Sequence, residues 1–199
     1  MSDLIKNTLE KYQKGLIIVI TGDGKGKTTS AMGQAVRAAG HGKKILVIQF
    51  MKGKKYGEVL CTEKHVPGIS MIQCGLDSFV MKDNPAPVDV ELAQQGLKIA
   101  KDAAAAGDYD MLILDEINVA MDFKLVDVKD VLHFIKNKPA GLDIILTGRY
   151  APAEIVDAAD TVSEVREIKH HYSQGIKERA GIELDRKSTR LNSSHVSES

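Results

Sequence analysis

Short aliphatic runs alternate along the chain with longer stretches in which apolar residues recur every three or four positions. The runs are apolar almost throughout, as is typical of strands that helices cover on both faces of a parallel sheet. This alternation predicts an α/β fold with an open, mostly parallel sheet, helices on both faces and right-handed connections. The predicted strands are residues 15–21, 44–50, 69–73, 111–115, 143–147 and 161–168.

Three predicted helices carry signals at their ends. A glycine just past an apolar stripe favours a left-handed stop, and an aspartate just before a stripe favours an N-cap. The predicted helices and their signals are 28–39 with Gly40, 90–106 with Asp89 and Gly107, and 128–136 with Asp127.

Two stretches flank the predicted domain, which spans residues 15–184. Residues 1–14 place several apolar side chains on one face of a short helix, and two alternatives fit them: a helical arm that docks on another surface, or a frayed terminus. Residues 185–199 hold five serines and almost nothing apolar, so they bury too little surface to offset their ordering entropy. We expect a disordered tail there, and its composition also fits a segment foreign to the native gene. The apolar residues of the arm are Leu4, Ile5, Leu9 and Tyr12.

The composition of the 199-residue chain excludes several classes of protein. Its 27 basic and 27 acidic residues cancel, which argues against a protein that coats DNA or an acidic membrane. No apolar run approaches the roughly 18 residues of a membrane span, and the polar N-terminus lacks the apolar region of a signal peptide. Cys61 and Cys74 match no metal-ligand spacing and do not suggest a disulfide framework. We therefore expect a single cytoplasmic domain with no nucleic-acid or membrane partner.

A glycine-rich loop lies directly between the first predicted strand and the first predicted helix. Its glycines let consecutive backbone N–H groups converge, and the helix N-terminus adds partial positive charge, so the loop predicts an oligophosphate site of the P-loop NTPase (RecA-like) architecture. Lys27 would add a mobile charge, and the Thr28 hydroxyl could ligate a divalent metal. The loop is one residue short, because Thr21 stands where the usual pattern has its first glycine. The predicted phosphate-binding residues are Gly22, Asp23, Gly24, Lys25, Gly26, Lys27, Thr28 and Thr29.

Acidic and basic side chains follow other predicted strands at the same edge of the sheet. Asp115 and Glu116 come at the end of a buried strand, where open α/β sheets bind ligands. One of the two could hold the metal, and the other could orient the group that is attacked. Arg149 ends another strand and could stabilise phosphate charge, while Arg37 lies on the helix after the loop. For both arginines, a solvated surface position is the alternative.

Other polar residues are expected at the surface. Lys52, Lys54 and Lys55 are expected to form a solvated loop rather than a nucleic-acid-binding patch, since the chain has no tryptophan and no net charge. His170 and His171 are adjacent, and adjacent residues of a strand point apart, so we do not expect them to chelate a metal.

The chain resembles the ATP:corrinoid adenosyltransferases of the P-loop type, which act on cob(I)alamin and related corrinoids. The resemblance extends almost continuously to residue 184, and the short loop is itself typical of that family. The segments that carry it are Gly-Asp-Gly-Lys-Gly-Lys-Thr-Thr at 22–29, Arg-Ala-Ala-Gly-His-Gly-Lys at 37–43, Val-Ile-Gln-Phe-Met-Lys-Gly at 47–53, Leu-Asp-Glu-Ile-Asn at 114–118, Leu-Thr-Gly-Arg at 146–149, Ala-Asp-Thr-Val-Ser-Glu-Val at 159–165, and residues 168–184.

The resemblance implies an enzyme that transfers the 5′-deoxyadenosyl group of ATP to the Co(I) of a reduced corrinoid and releases triphosphate. In that family ATP lies reversed in the loop, so that the ribose C5′ faces the cobalt. The resemblance further implies that Lys27 and Thr28 are central to phosphate binding and that Thr28 and Glu116 hold Mg²⁺ or Mn²⁺. It places Arg37 near the nucleotide. A P-loop small-molecule kinase or ATPase is the alternative enzyme, and a corrinoid carrier without catalysis is a third hypothesis.

The family also implies partners and a corrinoid side of the site. Its members are homodimers whose N-terminal helix covers the corrinoid, and a separate electron donor must generate Co(I). An aromatic-bearing segment removes the lower axial ligand of cobalt, and here residues 75–79 stand in its place. Some relatives carry a tryptophan in that segment, for which Phe79 or Leu76 is expected to substitute. Tyr150 stands where relatives usually have glycine.

Overall fold

A six-stranded sheet runs through the protein, of which the computed structural model describes residues 14–78, 80–177, 179 and 181–182. Every strand pair in the sheet is parallel, and the strand order is β3-β2-β4-β5-β1-β6. The predicted open parallel α/β sheet is therefore confirmed. The strands are β1 (Ile17–Thr21), β2 (Ile45–Phe50), β3 (Ile69–Cys74), β4 (Met111–Asp115), β5 (Asp143–Thr147) and β6 (Thr161–Glu164).

The three predicted helices are present, and the structure adds three that were not predicted. Two of the added helices have only six residues, so their apolar periodicity is too brief to stand out in the sequence, and the third buries only Val59 and Thr62. The helices are α1 (Lys27–Gly40), α2 (Gly57–His65), α3 (Pro87–Ala106), α4 (Ile117–Asp122), α5 (Val128–Lys136) and α6 (Ala153–Ala158), followed by a 3₁₀ turn at His171–Gln174.

Two of the predicted end signals are wrong. Gly40 is the last residue of α1, and the left-handed turn comes two residues later at Gly42, whose φ is 76°. Asp89 does not cap α3, because that helix already begins at Pro87, whose fixed φ suits the first helical position. Asp89 instead lies buried in the first turn.

Two other end signals are confirmed, and the last strand is shorter than predicted. Gly107 ends α3 in the left-handed region at φ 74°, and the Asp127 carboxylate accepts a hydrogen bond from the Lys129 N–H at 2.7 Å at the start of α5. The strand predicted at 161–168 pairs only as far as Glu164, and all four of its residues are exposed because β6 is an edge strand.

Helices cover both faces of the sheet, as predicted. On one face, small residues of α1 pack against Ile20, Ile45, Val47, Ile113 and Ile145. The alternate residues of the same strands, Leu46 and Ile48 among them, pack with α3, α4, α5 and α6 on the other face. All six residues of β2 are buried, as expected for a central parallel strand.

The strand order brings three carboxyl ends together at one edge of the sheet. β4 lies between β2 and β5, and β5 lies beside β1, so the loop that follows β1 meets the ends of β4 and β5. Ligands of open α/β sheets bind at this edge.

The structure does not test the predictions for the two ends of the chain or for its location in the cell. The predicted N-terminal arm, apart from Lys14, and the predicted tail at 185–199 lie outside the described residues. Within the described part of the chain, the helices are too short or too polar to cross a membrane. The cytoplasmic location stays a prediction.

Candidate functional site

The glycines of the loop after β1 allow close contact with the chain that follows β6. Gly22 has a φ of 96°, and a Cβ there would lie 2.5 Å from the carbonyl oxygen of Val165. A Cβ on Gly24 would lie 2.7 Å from the carbonyl carbon of Arg166, and the Gly24 N–H donates to the Val165 oxygen at 2.7 Å. Gly26 has a φ of 121°, where side chains are disfavoured. The backbone of the shortened loop thus packs directly against the chain that follows β6.

The two residues that open α1 point their polar atoms toward the loop and the sheet. The Lys27 ammonium, on a residue only 8% exposed, donates to the Gly24 carbonyl oxygen at 2.8 Å. The Thr28 hydroxyl donates to Asp115 Oδ1 at 2.8 Å. The loop and the acid predicted from separate parts of the sequence are therefore in direct contact. Lys25 and Thr29 are exposed.

Asp115 is the most heavily hydrogen-bonded carboxylate at this edge. Its Oδ1 accepts from the hydroxyls of Thr28 at 2.8 Å and Thr147 at 2.7 Å, and its Oδ2 accepts from Lys52 at 2.8 Å and Gln49 at 3.1 Å. Burial by itself raises the pKa of Asp115. The Lys52 charge and the hydrogen bonds outweigh burial, so the pKa lies below its ordinary value and the carboxylate is ionised at neutral pH.

Lys52 lies at this centre, and its predicted place in a solvated loop is wrong. Its side chain is 5% exposed, and its Nζ lies 3.5 Å from the Thr28 hydroxyl as well as 2.8 Å from Asp115. Lys54 and Lys55 are exposed, as predicted, and pair with carboxylates on the surface. One signal was available: Gln49 and Lys52 are polar residues at the carboxyl end of an otherwise apolar strand.

A close backbone crossing fixes the position of Lys52. Met51 takes the left-handed conformation at φ 58°, and its N–H donates to the Cys74 oxygen at 3.0 Å. A Cβ on Gly75 would overlap the amide nitrogen of Lys52, and a Cβ on Gly53 would lie 2.6 Å from the carbonyl carbon of Leu76. Residues 51–53 therefore lie against the start of the predicted corrinoid segment.

Glu116 leaves the end of β4 in a strained conformation. Its φ of 65° is rare for a residue with a side chain, and its N–H donates to the Thr147 hydroxyl at 3.0 Å. Thr147 thus links the backbone of Glu116 to the carboxylate of Asp115. Glu116 is half-buried.

The two predicted arginines differ in position. Arg149 donates from Nη2 to the Asp23 carbonyl oxygen at 3.1 Å, so its guanidinium lies against the loop. Arg37 is exposed in the last turn of α1, about 15 Å along the helix from Lys27 at about 1.5 Å per residue. The structure brings Arg149 to the loop, and the role of Arg37 stays a prediction.

The remaining predicted residues lie around this centre or outside it. Phe79 is outside the described residues, and Leu76 is 40% exposed. Tyr150 has a φ of 59°, a left-handed conformation that glycine adopts without strain.

The two histidines do not point apart as predicted. The rings of His170 and His171 stack with centroids 4.4 Å apart, since the chain has already left β6 before it reaches them. They are not part of a metal-binding group of three or more such ligands anywhere in the described residues.

Comparison with known proteins shows which family this chain matches. The family model described as ATP:corrinoid adenosyltransferase BtuR/CobO/CobP matches residues 13–184. A corrinoid adenosyltransferase from a Sinorhizobium species is 37% identical over 174 residues, which are 86% of this chain and 81% of that protein. Corrinoid adenosyltransferases from Escherichia coli K12 and Salmonella typhimurium are each 36% identical over 172 residues, or 86% of either chain.

Proposed function

The chain belongs to the ATP:corrinoid adenosyltransferase family, and from this premise we propose which of its residues perform the reaction. The enzyme transfers the 5′-deoxyadenosyl group of ATP to the Co(I) of a reduced corrinoid, a step of adenosylcobalamin biosynthesis. Cobalt is the nucleophile: its electron pair forms the bond to C5′, the C5′–O5′ bond breaks, and triphosphate leaves with that electron pair. No protein base is needed for this displacement, so the protein acts by binding, orientation and charge.

The residues of the loop stabilise the leaving triphosphate. Negative charge grows on the triphosphate as the C5′–O5′ bond breaks, and preorganised donors at that place lower the barrier. The donors are the backbone of residues 22–29, the Lys27 ammonium and, from the neighbouring strand end, the Arg149 guanidinium. The observation that carries this assignment is the 2.8 Å contact between the Thr28 hydroxyl and Asp115, because it joins the loop to the acid at the ligand-binding edge of the sheet.

The oxygen donors of this edge fit Mg²⁺ or Mn²⁺. The Thr28 hydroxyl lies 2.8 Å from the Asp115 carboxylate, and Mg²⁺ in nucleotide sites is held by one or two carboxylates together with phosphates. Thr28 and Glu116 would hold the ion, and Asp115 would orient the Thr28 hydroxyl that it contacts. When bound, the ion neutralises charge on the triphosphate.

The corrinoid side is built from residues 75–79, which begin where the backbone crosses residues 51–53. Leu76 and Phe79 would contact the corrinoid and displace its lower axial ligand. A second copy of the chain, with its N-terminal arm over the corrinoid, and an external electron donor complete the proposed assembly.

Product analysis tests this function. ATP, Mg²⁺ and chemically reduced cobalamin are incubated with the protein under anaerobic conditions. Adenosyl transfer yields triphosphate and a light-sensitive cobalt–carbon product. ADP would instead indicate a kinase or ATPase, and corrinoid binding without ATP consumption would indicate a carrier. The same assay with cobinamide in place of cobalamin shows which corrinoid is accepted.

The loop assignment is tested by Lys27→Ala, with Lys98→Ala as the matched control because Lys98 is an exposed lysine of α3 whose ion pair is with Asp102 of the same helix. We expect Lys27→Ala to abolish turnover while the circular dichroism spectrum stays that of the wild type. Turnover near the wild-type rate in a folded Lys27→Ala protein would overturn the assignment.

A further inference from the structure

Lys52 lies where an anion bound by the loop would meet a second positive charge. Its ammonium is 3.5 Å from the hydroxyl of Thr28, the residue that directly follows the loop lysine Lys27. We propose that Lys52 is a second triphosphate-binding lysine, which approaches the phosphates from the end of β2 while Lys27 approaches from the loop. This inference rests on the proposed function of the loop as the triphosphate site.

The hydrogen bonds of Asp115 allow Lys52 to be shared with a bound anion. Asp115 accepts from Thr28, Thr147 and Gln49 in addition to Lys52. Three donors therefore remain on the carboxylate when the ammonium turns toward phosphate. A lysine ammonium carries three N–H donors on a flexible stem, so it can keep one on Asp115 and direct another to the anion.

The local structure is built to hold this ammonium rather than to leave it in solvent. Met51, immediately before Lys52, adopts a left-handed φ of 58°. Gly53, immediately after it, packs so closely on the backbone of Leu76 that no side chain would fit between them. The Tyr56 ring centroid lies 5.8 Å from the ammonium. Strained backbone of this kind is retained where a function requires the geometry.

Stability alone is a poor reason for burying this pair. A buried ion pair often stabilises a fold no better than apolar residues of similar volume, since both charges lose their hydration. The Lys52–Asp115 pair lies beside the loop, with side chains 5% and 1% exposed. An incoming triphosphate with its several negative charges gives the buried ammonium a ligand.

The test measures the affinity of inorganic triphosphate by isothermal titration calorimetry, with and without Mg²⁺, below the melting transition of each variant. We expect Lys52→Met to weaken triphosphate binding by about 10- to 100-fold, the range typical of a lost hydrogen bond between charged groups. Lys54→Met, which removes an exposed lysine from the same loop, should leave the affinity within about twofold because surface pairs contribute little. A purely structural Lys52 would lower the melting temperature and leave the triphosphate affinity of the folded protein unchanged, which would overturn the inference.

A second pair of variants decides the matter if Lys52→Met does not fold. Asp115→Asn removes the carboxylate that competes for the ammonium, so triphosphate should bind more tightly than to the wild type. The double variant Lys52→Met with Asp115→Asn carries no unpaired buried charge and should lose that gain. Equal affinity in the double and the Asp115→Asn variants would overturn the inference.

Lys27→Ala separates the triphosphate site of the loop from the role of Lys52. If Lys27→Ala binds triphosphate as tightly as the wild type, the triphosphate site itself is wrong. If Lys27→Ala loses binding while the Lys52 variants keep it, only the inference about Lys52 is wrong.

Discussion

Replacing Thr147 by valine removes one hydroxyl that supports two groups of the site. That hydroxyl donates to Asp115 Oδ1 at 2.7 Å and accepts from the Glu116 N–H at 3.0 Å. Thr147 is fully buried, and valine has nearly the same shape, so the change tests the hydrogen bonds with little change in packing.

The expected loss of stability follows from these two contacts. A hydrogen bond to a charged acceptor contributes about 1.5–3 kcal/mol, and a buried N–H left without its acceptor costs about 1–3 kcal/mol. The new methyl group offsets part of this by burying apolar surface, about 0.8 kcal/mol per such group. We therefore expect Thr147→Val to lower the free energy of unfolding by about 2–4 kcal/mol. A typical domain has a free energy of unfolding of about 5–15 kcal/mol, so we expect the variant to remain folded at about 25 °C.

Urea denaturation at pH 7 measures the difference, with Thr62→Val as the matched control. Thr62 is also buried, but its hydroxyl donates to the Glu58 and Val59 carbonyl oxygens of its own helix, which are local bonds, and it otherwise contacts the Met71 sulfur, a weak acceptor, at 3.0 Å. We expect the control to cost less than about 1 kcal/mol. If Thr147→Val costs no more than Thr62→Val, the reasoning that the site depends on the Thr147 hydroxyl is wrong.

Three further outcomes are expected. Asp160 accepts the Ile17 N–H, which lowers the pKa of its carboxyl, so its contribution to stability is present above about pH 4 and is lost as the pH falls below that. Asp160→Asn should therefore cost stability at pH 7, and urea titrations should show that cost shrinking toward pH 3; a cost independent of pH would contradict this. Gly75→Ala should unfold the protein or lower its melting temperature sharply, because the added Cβ overlaps the amide nitrogen of Lys52. Gly33→Ala, with open space around the new Cβ in α1, should raise the free energy of unfolding by about 0.5–1 kcal/mol, and calorimetric melting checks both glycine variants.

The strands and long helices could be predicted because their buried positions are apolar in a regular pattern. A strand covered on both faces is a continuous apolar run, and a helix covered on one face shows an apolar stripe. The runs at β2, β4 and β5 are apolar for that reason, and α1 shows its buried stripe. Helices α4 and α6 could not be predicted, because each has only six residues and shows no apolar periodicity of its own. Asp89 misled the prediction because an acidic residue in the first turn resembles a cap in the sequence.

The loop and Asp115 could be predicted from the sequence, whereas their connections could not. Phosphate-binding loops and strand-end acids follow local rules of spacing, so each is visible in its own segment. Lys52 is buried and Lys54 is exposed, and the crossing that places Lys52 at Gly75 is a contact between distant parts of the chain. The left-handed conformation of Glu116 depends in the same way on Thr147, which comes from another strand.

The contact between the short loop and the chain after β6 couples two segments that lie far apart in the sequence. Gly22 and Gly24 leave no room for a side chain against residues 164–166. A side chain at either position would collide with that backbone unless the chain after β6 took another course. The sequence of the loop and the path of the chain after β6 therefore constrain each other, although about 140 residues separate them.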